Sequence, residues 1–221
     1  MAKNKTIFIT ATDTGVGKTV TTFVLGVLLN GQGFNVGVMK PAQCGGGDAQ
    51  FLRKSLNIKD DPRLINPFYA PEPISPHLAF HRAGLKFDPL KVRSCLKELQ
   101  ERHDIVLIEG AGGLMVPLTN RYFNADLMAD VRAPIIIVAR LGLGTLNHTL
   151  LTINQAKARG LMIKGIIFCQ TKPSSQGLPE STNPQEIEKL SGVKVLGTIP
   201  FLKPLNQKNI LRRCKDLKVN V

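Results

Sequence analysis

Thr6-Ile-Phe-Ile-Thr10 runs directly into Ala11-Thr-Asp-Thr-Gly-Val-Gly-Lys-Thr19, and this join decides the fold. The first piece, β-branched and aromatic, reads as a buried strand. The apolar spacing of residues 18–30, ending at Gly31-Gln-Gly33, reads as a helix. Between them lies a turn of small residues closing on Gly-Lys-Thr. A strand–turn–helix of this kind gathers backbone N–H groups and the positive end of a helix around a phosphate. Lys18 would reach the β- and γ-phosphates of a nucleotide, and the Thr19 hydroxyl would ligate magnesium. Thr12 stands where the pattern G-x-x-x-x-G-K-[ST] has its first glycine, so the match is one residue short. The competing reading is a turn that uses glycines only for shape. The strand before it, the Gly-Lys-Thr and the helix after it argue together against that.

The same alternation continues outward. Residues 36–39 read as a second strand and 48–56 as a helix. Asp88-Pro89 pairs an N-cap with proline at the first helical position and opens a helix to residue 102. The continuous apolar runs 105–109 and 135–139 suit strands covered on both faces. Residues 146–159 form a helix stopped by Gly160. Residues 164–169 and 193–199 are the last strands, with 184–191 helical between them. The proline-rich stretch 57–87 and the tail after Pro200 are expected to be the least regular. Strands alternating with helices imply a parallel sheet with right-handed crossovers. The expectation is one three-layer α/β domain over residues 1–221, a mostly parallel sheet with helices on both faces. No internal repeat, low-complexity segment or domain boundary interrupts it.

Composition sets the outer limits. With 221 residues, 43% hydrophobic and 20% charged, the chain can bury a core of its own, which excludes widespread disorder and coiled coil. No run approaches the roughly eighteen apolar residues a membrane span needs. Residues 1–5 lead straight into the first strand without a signal-peptide pattern, so the expected location is cytoplasmic. The four cysteines, at 44, 95, 169 and 214, are too scattered for a zinc knuckle or a redox pair and read as reduced thiols. A formal charge of +13 brings nucleic acid to mind, yet the cations are spread out and aromatics make up 5%. Only the basic segment 204–221 is dense in them. A solvated basic surface is the preferred reading, with no nucleic acid and no membrane as partner.

Three further stretches carry chemistry. Ile105-Val-Leu-Ile-Glu-Gly-Ala-Gly-Gly113 ends an apolar strand in an acid, delivering the Glu109 carboxylate to the edge where α/β sheets bind ligands. Met39-Lys-Pro-Ala-Gln-Cys-Gly-Gly-Gly-Asp48 leaves the second strand at that edge with one cation, Lys40, and one anion, Asp48. Lys40 would neutralise charge on a transferring phosphoryl group, and Asp48 would complete a metal shell. Leu141-Gly-Leu-Gly-Thr-Leu-Asn-His148 opens a helix whose free N–H groups suit a carboxylate. His77 and His81 stand four apart but lack a third ligand, and Pro76 adjoins them, so they are not read as a metal site.

These residues together resemble the dethiobiotin synthetases, ATP-dependent ring-closing ligases of biotin synthesis with the P-loop NTPase fold. The likeness spans about residues 5–203. It rests on Thr-Asp-Thr-x-Val-Gly-Lys-Thr (12–19), Lys-Pro with its small-residue loop (40–47), Glu-Pro-Ile-Ser-Pro-His (72–77), Glu-Gly-Ala-Gly-Gly (109–113), Leu-Gly-x-x-Asn-His (143–148) and Gly-Thr-Ile-Pro (197–200). The resemblance implies that one amine of 7,8-diaminopelargonic acid takes up CO2 as a carbamate. The carbamate attacks the γ-phosphate of Mg-ATP, and the second amine closes the ring with release of ADP and phosphate. By motif match Lys18 and Lys40 flank the reacting phosphoryl group, while Thr19, Asp48 and Glu109 serve Mg2+. Gly15, Val16, Gly17 and Val20, with Gly110, Ala111 and Gly112, would surround the nucleotide. Cys169, Gln170, Pro200, Phe201 and Leu202 would lie near its base. Asp13 and Cys44 would meet the substrate, and Gly144, Thr145, Leu146 and Asn147 of a second copy in a homodimer would hold its carboxylate.

The chain departs from the family pattern in several places. Ala11 replaces a glycine at the loop start, and Gly15 stands where some members have glutamate. Cys44 replaces a serine or threonine, and a thiol donates weakly. Where the family often ends its fifth strand in an asparagine that reads adenine, this chain has Phe168-Cys169-Gln170. Base recognition is then expected to pass to Gln170 or main chain. The rival reading is a partition-type ATPase, a nucleotide-switched dimer acting on DNA or membrane. Such proteins carry a second lysine early in the phosphate loop, where this chain has Asp13, and they lack Glu-Gly-Ala-Gly-Gly. A non-catalytic nucleotide-binding module would leave Lys40 and Asp48 without a role.

Overall fold

The computed structural model describes residues 5–173 and 177–219; residues 1–4 and the last two of the basic segment 204–221 lie outside it. The chain opens with β1 (Lys5–Ala11), α1 (Lys18–Gly31) and β2 (Val36–Met39), followed by β3 (Ala42–Cys44) and α2 (Asp48–Ser55). Next come α3 (Pro62–Ile65), β4 (Phe68–Ala70), α4 (Pro76–Arg82), α5 (Pro89–Arg102) and β5 (Ile105–Glu109). The second half alternates α6 (Asn124–Val131), β6 (Ile135–Ala139), α7 (Thr145–Ala158), β7 (Ile163–Cys169), α8 (Leu178–Ser191), β8 (Val195–Ile199) and α9 (Gln207–Arg213). The main sheet has the order β2-β5-β1-β6-β7-β8 with every pair parallel.

Alternation along the central strands sends side chains to two cores. Phe8, Val106 and Ile108 pack on one face with Leu96 and Leu99 of α5 and Ile153 of α7. Ile7, Ile9, Ile105 and Leu107 pack on the other with Phe23, Val24 and Leu25 of α1 and Leu52 of α2. This is the expected three-layer α/β arrangement. Burial on both faces explains why the strands read as unbroken apolar runs; each such side chain contributes about 1.5–3 kcal/mol relative to exposure. Asp88 accepts from Leu90 N at 2.8 Å, as its N-cap position predicts.

Two regions differ from expectation. Residues 57–87 are more ordered than their prolines suggest, holding α3, β4 and α4, with β3 and β4 paired as a small parallel sheet. Phe68, Phe80 and Phe87 bind this segment together, with ring centroids 4.8–6.1 Å apart. The helix expected from Pro184 begins six residues earlier, at Leu178, with Pro184 inside it. Its start is fixed by Glu180, whose carboxylate accepts from Gly177 N at 3.0 Å. The tail is also regular: α9 packs beside α1, and Lys218 N donates to Leu196 O at 2.9 Å, covering part of the β8 edge. Among the described residues no helix is long and apolar enough to cross a membrane.

Candidate active site

Sheet order places the site. β2, β5 and β1 are neighbours, with Met39 opposite Ile108 and Glu109 opposite Ile9. Their carboxyl ends therefore deliver Lys40, Glu109 and the phosphate loop to one point. Gly15 (φ 73°) and Gly17 (φ 101°) take left-handed backbone that the turn requires, and Gly17 begins α1. Thr12 does not have a positive φ, so the missing glycine is no obstacle there. Behind the loop, a Cβ on Gly17 would collide with the side chain of Cys169.

The loop, the β2 exit and the β5 exit enclose a cleft of about 700 Å³. Glu109 is fully buried; its Oε1 accepts from Lys40 Nζ at 2.5 Å and from Thr19 Oγ1 at 2.9 Å. Its Oε2 has no partner among the described residues. Lys40, 3% exposed, also lies 3.0 Å from Asp48 Oδ2, whose side chain is 44% exposed toward the cleft. Burial pulls the Lys40 pKa down, but Glu109 and Asp48 more than offset it and hold the ammonium above its ordinary value. Lys18 has weaker support: Glu109, Asp48 and Asp13 offset its cost only in part. Its Nζ reaches Asp13 O at 3.3 Å, and burial, followed by the charge of Lys40, lowers its pKa to about 8.

The donor set fits a hard divalent ion. A buried carboxylate oxygen without a partner, a threonine hydroxyl bonded to that same carboxylate and a half-exposed aspartate beside it are oxygen ligands of the kind Mg2+ takes. The turn after Glu109 is held close: Gly112 (φ 64°) lies where a Cβ would meet Val116 and Thr14. Asn124 Nδ2 donates to Ala111 O and, at 3.0 Å, to Gly113 O.

Of the expected nucleotide residues, Gly15, Gly17, Lys18, Thr19 and Val20 line this cleft, as do Asp48, Glu109, Ala111 and Gly112. Val16 is buried in the core beneath the loop, and Gly110 continues β5, its N–H bonded to Ile9 O at 3.0 Å. Cys169 does not reach the cleft wall; burial against Gly17 pushes its thiol up to about 12. Gln170 N donates to Ile199 O at 2.9 Å, Leu202 is buried, and Phe201 O accepts from Arg213 at 3.2 Å. Pro200 follows β8 at the same sheet edge, and Thr171 is the residue of this side that lines the cleft.

The expected substrate residues divide. Cys44 lines the cleft, its thiol raised to about 11 by burial. Asp13 lines an adjoining cavity of about 430 Å³ that shares Thr14 and Val116 with the cleft. Its carboxylate accepts from Thr14 N at 2.7 Å and Arg140 at 2.9 Å. Gly144, Thr145, Leu146 and Asn147 lie apart from both cavities, at the N-terminus of α7, where Gly144 (φ 90°) begins the helix beside the 90% exposed Leu143. Sequence reading missed three holders of the site. They are Gln43, Asn124 and Asn66, whose Nδ2 donates to Lys40 O at 2.6 Å. Each is a side-chain amide that bonds main-chain groups distant in sequence or within a turn. Gln43 and Asn124 are buried and Asn66 is half-buried, and no sequence pattern common to the three marks them.

Residues 5–209 match the family described as AAA domain. In overall shape the chain is similar to the septum site-determining protein MinD complexed with Mg-ADP from Pyrococcus horikoshii. That likeness has a TM-score of 0.61 at 21% identity, over 94% of this chain and 85% of that one. An ATP complex of Cyanothece McdA gives 0.59 at 18%, over 100% and 99%. At such identities the likeness concerns the fold alone. Sequence relatives are nearer. The ATP-dependent dethiobiotin synthetase BioD of Nitrosopumilus maritimus is 37% identical over 97% of this chain and 98% of its own length. Its namesake from Halalkalibacterium halodurans is 40% identical over 89% and 85%. At that identity over nearly the whole length, the chain belongs to the ATP-dependent dethiobiotin synthetase family.

Proposed function

We propose that the protein is an ATP-dependent dethiobiotin synthetase that converts 7,8-diaminopelargonic acid, CO2 and ATP into dethiobiotin, ADP and phosphate. The observation that carries this reading is the joining of two cavities at Thr14 and Val116. One is lined by Lys18, Lys40, Thr19, Asp48 and Glu109, and the other by Asp13. A nucleotide in the first and a diamine in the second meet at the phosphate loop.

Gly15, Gly17 and the first turn of α1 bind the phosphates through main-chain N–H groups. Thr19, Asp48 and Glu109 would hold Mg2+, which neutralises phosphate charge when bound. Lys18 and Lys40 stabilise the charge built up as a carbamate oxygen meets the γ-phosphate. Asp13 orients the amine that carries the carbamate, so that closure by the second amine is intramolecular, an advantage of about 7–11 kcal/mol in well-oriented systems. The 144–147 turn of a second copy would receive the substrate carboxylate; the left-handed Gly144 and exposed Leu143 support a role at a subunit contact. The four free thiols suit a reducing cytoplasm, and the substrates need neither nucleic acid nor membrane.

The test is phosphate release from Mg-ATP with both bicarbonate and diaminopelargonate present, with dethiobiotin identified by mass. Release that ignores either co-substrate would refute the reading.

A further inference from the structure

Residues 45–47 are three consecutive glycines linking β3 to α2. Gly45 (φ 62°) and Gly46 (φ 59°) both hold left-handed backbone, and Gly47 precedes α2 with no side chain to accept from its first N–H groups. Glycine loses more conformational freedom on ordering than any other residue, so this turn has little rigidity of its own. It nevertheless presents Asp48 with Oδ2 3.0 Å from Lys40 Nζ.

The order comes from Gln43, which is 2% exposed and lies just outside the turn. Its Nε2 donates to Gly45 O at 3.3 Å and to Gly46 O at 3.2 Å. Its Oε1 accepts from Ala49 N at 2.9 Å, supplying from outside the helix the cap that Gly47 lacks. The amide carries an NH2 donor and an oxygen acceptor on one branched end, and here each faces its complement. Carbonyls on one side of Asp48 and an N–H on the other are thus tied to a single buried group.

We infer that Gln43 is a positioning residue for the metal site: by gripping the glycine turn on both sides of Asp48, it sets where that carboxylate stands. The inference rests on the assignment of Asp48 to Mg2+ made above, and adds a residue that touches neither substrate nor metal. A purely structural glutamine would support folding and leave metal affinity alone.

The test uses Gln43→Met, which roughly keeps length and volume but has no donor and only a weakly accepting thioether. Mn2+ affinity is read by electron paramagnetic resonance with saturating ADP, alongside a urea titration of stability. Mn2+ should bind about tenfold more weakly, the lower end of what a ligand's supporting partner is worth. In the Asp48→Asn background the same change should add less than about twofold, because the residue it positions no longer ligates. Wild-type Mn2+ affinity in Gln43→Met, or full additivity in the double variant, would overturn the inference. Should Gln43→Met not fold, Gln43→Glu keeps the acceptor for Ala49 and loses the donors; the same non-additive loss is expected. Mn2+–ADP binding does not depend on ring closure, so a wild-type protein that makes no dethiobiotin would count against the proposed activity and leave this result standing. Unchanged Mn2+ affinity in Asp48→Asn would remove the metal assignment and the inference with it.

Discussion

Replacing Lys18 by methionine should make the ligand-free protein more stable while silencing it. Lys18 is 7% exposed in the cleft. Burial and the neighbouring Lys40 disfavour its charge, and Glu109, Asp48 and Asp13 offset this only in part, leaving a pKa of about 8 against the ordinary 10.5. The folded state therefore binds fewer protons than the unfolded state between these values, and stability rises with pH across that window. Below it both states carry the proton, and the folded state bears the whole cost of the buried charge. At about 1.4 kcal/mol for each tenfold in proton affinity, that cost is about 3 kcal/mol. Methionine fills the same slot uncharged. Lys18→Met should thus gain about 3 kcal/mol at pH 7, about 2 at pH 9 and almost nothing at pH 11. For a chain of this size the gain at pH 7 raises Tm by about 6–12 °C. Urea titrations followed by circular dichroism at the three pH values measure it. Turnover should fall by about 10²–10³-fold or more as the γ-phosphate loses a fixed cation. A gain that does not change with pH, or a variant less stable than wild type at pH 7, would refute the reasoning. Wild-type turnover in the folded variant would remove the phosphate-loop assignment.

Lys40→Met strands the fully buried Glu109 with only the Thr19 hydroxyl and should cost about 3–5 kcal/mol, whereas Glu109→Gln leaves Lys40 its Asp48 partner and should cost less. Urea titration checks this order; equal losses, or a double variant as unstable as the summed singles, would contradict it. Because an arriving polyphosphate favours the charged form of Lys18, whose pKa is about 8 in the free protein, nucleotide binding above that pH should take up a proton. Calorimetry in buffers of different ionisation enthalpy reads the uptake, and a value of zero at pH 9 would count against it. With Cys169 packed behind Gly17, a purine-reading amide worth about 1–3 kcal/mol is missing from that position. The kcat/KM values for ATP, GTP and CTP should therefore agree within about tenfold, while a preference beyond about a thousandfold would assign adenine recognition to Gln170 or residues 197–202.

What the sequence made legible was local or periodic. The strands 105–109 and 135–139 lie where the apolar runs put them, because burial on both faces forbids polar interruption. Asp88-Pro89 started its helix because cap and proline act within one turn. Proline misled twice. Pro184 read as a helix start, yet the start signal was the Gly177–Glu180 contact, which needs no proline at 184. The stretch 57–87 read as irregular because three-residue strands and short helices leave no period; long-range packing of Phe68, Phe80 and Phe87 orders it. In the site, charged residues at strand ends were visible as chemistry. The amides that hold them were not, since Gln43, Asn66 and Asn124 act through backbone groups that only the folded chain brings near.

The two lysines of the cleft are held by opposite means, and the difference bears on how the site works. Lys40 is fixed at its ammonium by Glu109 and Asp48 and at its main chain by Ile65 O (2.7 Å) and Asn66. It is charged and placed before any ligand arrives, so in the proposed reaction its stabilisation of a transferring phosphoryl group would need no reorganisation. Glu109 meets Lys40 and Thr19 through Oε1 and keeps Oε2 without a partner among the described residues, so under the proposed metal assignment one carboxylate would serve a lysine and a metal ion without exchanging one for the other. Lys18 stands on a turn of left-handed glycines with a weakly supported charge, and in the proposed reaction the nucleotide would supply the missing anion. The first lysine belongs to the rigid sheet edge and is costly to remove; the second belongs to the loop and is costly to keep. A charge that the empty fold disfavours and the nucleotide restores is what binding energy directed at the reacting end of a substrate requires.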